Sequence, residues 1–120
     1  MNELRYFKLE EFDSPDKKGS GKNMSKELLI MLDNARSIAG VPFRITSGYR
    51  TKQHNKKVGG VNGSSHTKGL AVDIAVLSGS MRYRILDALF SVGFNRIGIS
   101  SNFIHCDIDE DKIQNVIWTY

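Results

Sequence analysis

The chain has a single cysteine, Cys106, so no internal disulfide can form and the fold cannot depend on an oxidising compartment. Long apolar runs are also missing. None approaches the roughly 20 residues that a membrane-crossing helix needs. The opening stretch MNELRYFKLEEF carries acidic residues where an export signal has its apolar centre, so no export signal is expected. No internal repeat and no linker interrupts the sequence, which predicts one domain over residues 1–120. The basic residues are scattered, and no nucleic-acid-binding motif is recognisable among them.

What is present suits a globular protein. Hydrophobic residues make up 40% of the 120 and charged residues 25%, which argues against disorder or collagen-like repetition. A chain of this length can bury a workable core without staples. The net charge of +4 favours an anionic partner. Nucleic acid and anionic cell wall both qualify, so charge alone does not choose between them.

Residues 1–23 form an entry segment, with Phe7 and Phe12 expected on the core and a Gly/Ser/Lys-rich loop over 14–23. Leu28, Leu32, Ala35 and Ala39 recur at helical spacing, predicting a helix from about Ser25 to Ala39. Ser25 can cap it, Met24 and Leu29 are spaced as a hydrophobic staple, and Gly40 followed by Pro42 ends it. Phe43 to Thr46 alternates as a strand, a short helix is expected over Thr51 to Lys57, and Gly59, Gly60 and Gly63 mark a loop. Leu70 to Val76 is apolar enough for a sheet interior. Met81, Ile85, Leu89 and Val92 predict a helix over Ser80 to Val92 stopped by Gly93. Arg96 to Ile99, Phe103 to Ile108 and Val116 to Tyr120 read as strands. Short links between these late strands predict antiparallel pairing and an α+β fold, with helices packed on a mainly antiparallel sheet.

Two segments carry chemistry. One is Ser64-Ser65-His66-Thr67-Lys68-Gly69-Leu70-Ala71-Val72-Asp73, and the other is Phe103-Ile104-His105-Cys106-Asp107. Two imidazoles and a carboxylate are a common ligand set for catalytic zinc, which keeps its fourth position for water, although other transition metals accept the same donors. Asp73 lies within an apolar strand, where an unpaired carboxylate is costly and a metal would compensate its charge. Gly69 and Ala71 are small enough for the backbone to pass close to an ion. Taken one at a time these residues have ordinary explanations, since a single buried histidine is more often a core residue than a ligand.

Ser64, His66, Gly69, Ala71 and Asp73, spaced Ser-x-His-x-x-Gly-x-Ala-x-Asp, resemble the signature of the LAS group of zinc peptidases. That group includes D-alanyl-D-alanine carboxypeptidases, L-alanyl-D-glutamate endopeptidases of phage lysins and the Hedgehog signalling domain. Tyr6-Phe7-x3-Glu11-Phe12, Thr46 to Thr51, Asn55-x3-Gly59-Gly60, Phe103 to Asp107 and Ile117 to Tyr120 are similar to it in the same order. The resemblance implies a Hedgehog/DD-peptidase-like fold of the small single-domain branch. It implies one zinc ion held by His66, Asp73 and His105. Arg50 matches a cation that holds the substrate carbonyl or oxyanion, a role that suits a fixed guanidinium; its ordinary alternative is a surface salt bridge. Ser64 is a candidate to contact substrate or to hold its loop. His54, among Lys and Gln, is expected on the solvated surface.

The implied chemistry is attack of water on a peptide carbonyl, with a carboxylate taking the proton. Many relatives place that carboxylate three residues before the last histidine ligand, where this chain has Asn102; a variant has a histidine two residues before it, where this chain has Phe103. Asp107 shares the face of His105 on a strand. It can serve as the base, as a substrate contact or as a partner orienting an imidazole. Asp109 continues that face nearer the loop, and Cys106 should point to the core. The expected function is hydrolysis of a peptide bond in cell-wall murein, by a monomer held in the cytoplasm until it reaches the wall. The alternatives are a zinc-containing binding module without hydrolysis, favoured by Asn102, and a small basic nucleic-acid binder, for which only charge speaks.

Overall fold

The computed structural model describes residues 4–120; the first three, which begin the acidic opening stretch, lie outside the described residues. Helix α1 spans Lys26–Ala39, with the Ser25 side chain accepting from the Leu28 N–H at its start and Gly40 at φ +67° closing it. Helix α3, Gly79–Ser91, begins one residue earlier than its periodicity predicts, because Ser78 caps it by accepting from the Met81 N–H. Between them α2, Lys52–Lys57, is capped by the Thr51 side chain, which accepts from the His54 N–H. Within the entry segment Phe7 and Phe12 are buried with ring centroids 5.4 Å apart, as expected. The neighbouring loop contains a short 3-10 turn, Ser20–Asn23. No helix among the described residues is long and apolar enough to cross a membrane.

Among the described residues five strands form one sheet: β1 Ile45–Ser47, β2 Ala71–Ala75, β3 Arg96–Ile99, β4 Phe103–Asp107 and β5 Val116–Thr119. Their order is β1-β2-β4-β3-β5. The β1–β2, β2–β4 and β3–β4 pairs are antiparallel, and β3–β5 is parallel. The fold is therefore α+β on a mainly antiparallel sheet, with one departure from the expectation for the late strands. Both edges of β4 are taken by β2 and β3, so β5 finds its partner on the free edge of β3, and the direction of the returning chain makes that pair parallel. The first strand also lies later than its alternation suggests. Phe43 is buried in the core, while the ladder joins only Ile45 to Ile74 and Ser47 to Asp73 across an irregularity.

Strand alternation divides the sheet into two unlike faces. Val72, Ile74, Ile97, Ile104 and Cys106 are fully buried and share one core with Leu28, Leu32, Ile85 and Leu89 of the helices. The opposite face carries a row across all five strands. Ser47 pairs with Asp73, Asp73 with His105, His105 with Gly98 and Gly98 with Trp118. Cross-strand partners stand side by side on one face, so residues distant in sequence form a patch on the side away from α1 and α3.

Candidate metal centre

His66 reaches this patch from a 3-10 turn, Ser65–Lys68, ended by Gly69 at φ +72°. The Ser64 hydroxyl accepts from the His66 N–H at 3.2 Å, so Ser64 holds the turn that presents the imidazole. Gly69 is required by its left-handed backbone and by crowding, since a Cβ there would run into the backbone carbonyl of Asn23. That is a different reason from the close approach to an ion expected of it. Asp73 and His105 come from paired positions of β2 and β4. Ligand atoms of His66, Asp73 and His105 all lie within 4.8 Å of one another, and all three residues are buried.

Hydrogen bonds outside the cluster determine which ring atoms face inward. His66 Nδ1 lies 2.8 Å from the Gly48 carbonyl oxygen, which can only accept, so Nδ1 carries the proton and Nε2 is left bare in the neutral ring. That bare nitrogen lies 3.4 Å from Asp73 Oδ1. His105 Nε2 lies 2.7 Å from Asp107 Oδ2 and Nδ1 lies 3.0 Å from the same Asp73 Oδ1; the tautomer with its proton on Nε2 donates to Asp107 and leaves Nδ1 bare toward the cluster. Two imidazole lone pairs and a carboxylate oxygen thus converge, and such lone pairs repel unless a proton or a cation lies between them. Donors held about 2.0–2.1 Å from a tetrahedral zinc stand roughly 3.3 Å apart, close to the 3.4 and 3.0 Å found here. The donor set and its outer partners therefore fit zinc.

Charge in the cluster follows from these contacts. Burial opposes ionisation of Asp73, but hydrogen bonds with His105 and His66 outweigh it and hold the carboxyl well below the usual carboxylate range. Burial likewise opposes a charged His105, yet its bonds to Asp107 and Asp73 prevail and raise its pKa above 6.5. Burial pushes the Cys106 thiol well up, in keeping with a core side chain and against nucleophilic use.

Asp107 is 1% exposed and both its oxygens are occupied. Oδ2 takes the His105 proton, while Oδ1 accepts from Arg96 Nε at 2.7 Å and from the Asp109 N–H at 3.1 Å. Those bonds overcome burial and keep the carboxyl ionised below its ordinary pKa. Arg96 is itself buried, donates to the Ile113 carbonyl and lies 5.0 Å over the Trp118 ring. Trp118 packs 5.4 Å from the His105 ring, which Gly98 permits because any Cβ there would meet the indole.

Arg50 sits on the other side of Asp73. Its Nε donates to Ser47 Oγ at 3.1 Å, Nη1 donates to Asn55 Oδ1 at 3.2 Å, and Nη2 stands 3.7 Å from Asp73 Oδ2. Gly60 packs against this anchor, since a Cβ there would collide with Asn55 Oδ1. His54 lies apart from the cluster, beside Asp16 and Lys57. Asn102 is exposed in the turn between β3 and β4, where its carbonyl accepts from the Val76 N–H.

Arg96 and Gly98 were not singled out from the sequence as parts of the site, and Gly48 and Asn55 stood in segments noted only for their similarity, with no role given. Asn55 acts on Arg50 five residues away, whereas Gly48, Arg96 and Gly98 act through partners on other elements, and only strand register could have pointed to Arg96. A cleft of about 460 Å³ opens over the cluster, lined by Arg50, Phe103, Lys112, Trp118 and Tyr120 as well as the candidate ligands. A hollow of about 570 Å³ beside Val41, Leu77 and Met81 is larger, but among the described residues no histidine, cysteine or carboxylate lines it, so the chemistry belongs to the smaller one.

No match is found among curated proteins. The family model described as peptidase M15 matches residues 5–107, a span that begins in the entry segment and ends on the carboxylate holding His105. With most of its length matched, and with the matched span supplying His66, Asp73 and His105 to one buried cluster, the chain belongs to the peptidase M15 family.

Proposed function

We propose that the protein is a zinc metallopeptidase that hydrolyses a peptide bond in the peptide part of murein. The observation that carries this reading is the convergence of His66 Nε2, His105 Nδ1 and Asp73 Oδ1, each aimed by a hydrogen bond or strand pairing outside the cluster. Zinc bound there would supply a Lewis acid for the scissile carbonyl and lower the pKa of a water toward neutrality. Arg50, anchored at Ser47 and Asn55, is placed to attract negative charge developing on the substrate oxygen. Phe103, Trp118 and Tyr120 line the cleft as an aromatic wall that limits water around the bond. Hydrolysis is tested by release of free amino groups from purified murein, with and without chelator, for wild type and His66→Ala. Mass spectrometry of the products then distinguishes carboxypeptidase from endopeptidase cleavage.

Asp107 is assigned the orienting role among the three open to it, because both its oxygens are taken, one by His105 and the other by Arg96 and the Asp109 N–H. Asp107→Asn is expected to weaken zinc affinity by about 10–100-fold, the usual effect of losing a partner that orients a ligand. Competition with a chromophoric chelator measures it. An unchanged zinc affinity with a collapsed kcat would make Asp107 the base instead.

Zinc uptake competes with the proton on His105. Since that pKa is raised above 6.5, zinc affinity should fall about tenfold per pH unit below the folded value and level off above it. The metal-free protein behaves in the opposite sense. A raised histidine contributes stability fully below its unfolded pKa, and that contribution is lost as pH rises through the folded value. Melting curves from about pH 5 to pH 9 should therefore show a falling apo Tm and a growing zinc-induced gain.

A second reading, a zinc-holding module that binds murein peptides without cutting them, is favoured by one observation. Among the described residues the carboxylates lining the cleft are Asp73 and Asp107, and both are engaged. Binding to murein without release of amino groups from zinc-loaded protein would select it.

A further inference from the structure

Asp109 is buried beside the cleft at 1% exposure and is already satisfied. Ser65 Oγ donates to its Oδ2 at 2.7 Å, Lys68 Nζ reaches its two oxygens at 3.3 and 3.1 Å, and the Asp111 N–H donates to Oδ1. Lys112 is a second cation at the same place. Its Nζ stands farther off, 3.8 Å from Asp109 Oδ2, and donates at 2.9 Å to the neutral Ser65 hydroxyl. The side chain is a third exposed and lines the cleft that contains His66 and His105. Arg96 is bound to Asp107 and Arg50 faces Asp73, so Lys112 is the cation of the cleft wall whose nearest carboxylate is already neutralised by another lysine.

The backbone that carries Lys112 is also held in place. Gln114 Nε2 donates to the carbonyls of both Asp109 and Lys112, and the Lys112 N–H donates to the Asp109 carbonyl. Ser65 precedes His66 directly, which puts the charge within one residue of a candidate ligand. A fixed, partly desolvated ammonium with unfilled donors recognises an anion. Murein peptides offer carboxylates, both the free α-carboxylate of the γ-linked D-glutamate and the carboxylate at the peptide terminus.

We propose that Lys112, seated on Ser65, forms an anion subsite that takes a carboxylate of the peptide substrate beside the scissile bond. This rests on the murein-peptidase reading and names the substrate group that the cleft selects.

The test uses zinc-loaded wild type, Lys112→Met and Lys112→Arg with three synthetic murein stem peptides. One has both carboxylates free, one is amidated at the glutamate α-carboxylate, and one is amidated at the terminus. Calorimetry reads binding and amino-group release reads cleavage. Wild type should bind the free peptide about tenfold or more tighter than one of the amides, the scale of a charged hydrogen bond, and the amide that loses affinity identifies the carboxylate. Lys112→Met should bind acid and amide alike, with its loss of activity entering through KM, and Lys112→Arg should keep the preference. A preference that survives in Lys112→Met, or a wild type that cuts all three peptides without preference, overturns the subsite. Preferential binding without cleavage supports the subsite and overturns the hydrolytic reading alone.

Discussion

His66→Ala is expected to abolish stoichiometric zinc binding and to reduce release of amino groups from murein to the level of a chelator-treated control. The loss in affinity should exceed the roughly 10–100-fold that follows loss of an outer partner, because one of three protein donors is removed. The apo fold should survive. Asp73 and His105 remain a pair at 3.0 Å, and the Ser65–Lys68 turn is closed by backbone bonds from Thr67 to Ser64 and from Leu70 to Ser65. A native far-UV spectrum together with absent zinc in the dialysed protein is the expected result. Activity retained by a zinc-free variant would remove His66 from the metal centre. Asp73→Ala should lose zinc equally but melt lower, since it leaves Arg50 and two imidazoles around a site without its central carboxylate.

Arg50→Lys is expected to lower kcat by about 10²–10³-fold while zinc content stays at one per chain, the size of effect seen when a single group stabilising an oxyanion is lost. A lysine is not a substitute here. The guanidinium uses Nε on Ser47 and Nη1 on Asn55 to steer Nη2 toward the cleft, and an ammonium cannot make that planar set of bonds. The backbone bond from the Arg50 N–H to the His66 carbonyl is unaffected by the substitution, so the neighbouring ligand should keep its place. Zinc content by atomic absorption and steady-state kinetics on one murein substrate check both halves. A fall in zinc content with kcat would mean that Arg50 serves the Asp73 carboxylate rather than the substrate.

Much of the fold was legible because its signals are short-range. The apolar spacing of Leu28, Leu32 and Ala35, the cap at Ser25 and the stop at Gly40 lie within one helix and act through neighbours a few residues apart. The same holds for the ends of β3 and for the short helix begun by Thr51. Two features of the sheet were not legible in this way. The parallel placement of β5 depends on which edges remain free once β2, β3 and β4 have paired, and the late start of β1 depends on a ladder irregularity opposite Asp73. Both are decided between segments far apart in sequence.

The candidate site divides along the same line. His66, Asp73, His105 and Arg50 could be named from residue types and order, with help from a resemblance to known peptidases, because ligands must be of certain chemical kinds. That Asp107 shares the face of His105 followed from the period of a strand. That its oxygens are occupied by His105, Arg96 and the Asp109 N–H did not, and this occupancy is the ground on which it is proposed as an orienting partner rather than the base. The sequence by itself determined the residue chemistry and the local elements that carry it, since propensity, capping and alternation act within a few residues. Only the tertiary structure decided which imidazole nitrogen faces inward, which carboxylate is engaged and which lysine stands on the cleft wall. Those outcomes depend on hydrogen-bond partners supplied across the sheet and from the loops at its edge, and the distances that select them exist only once the chain has closed on itself.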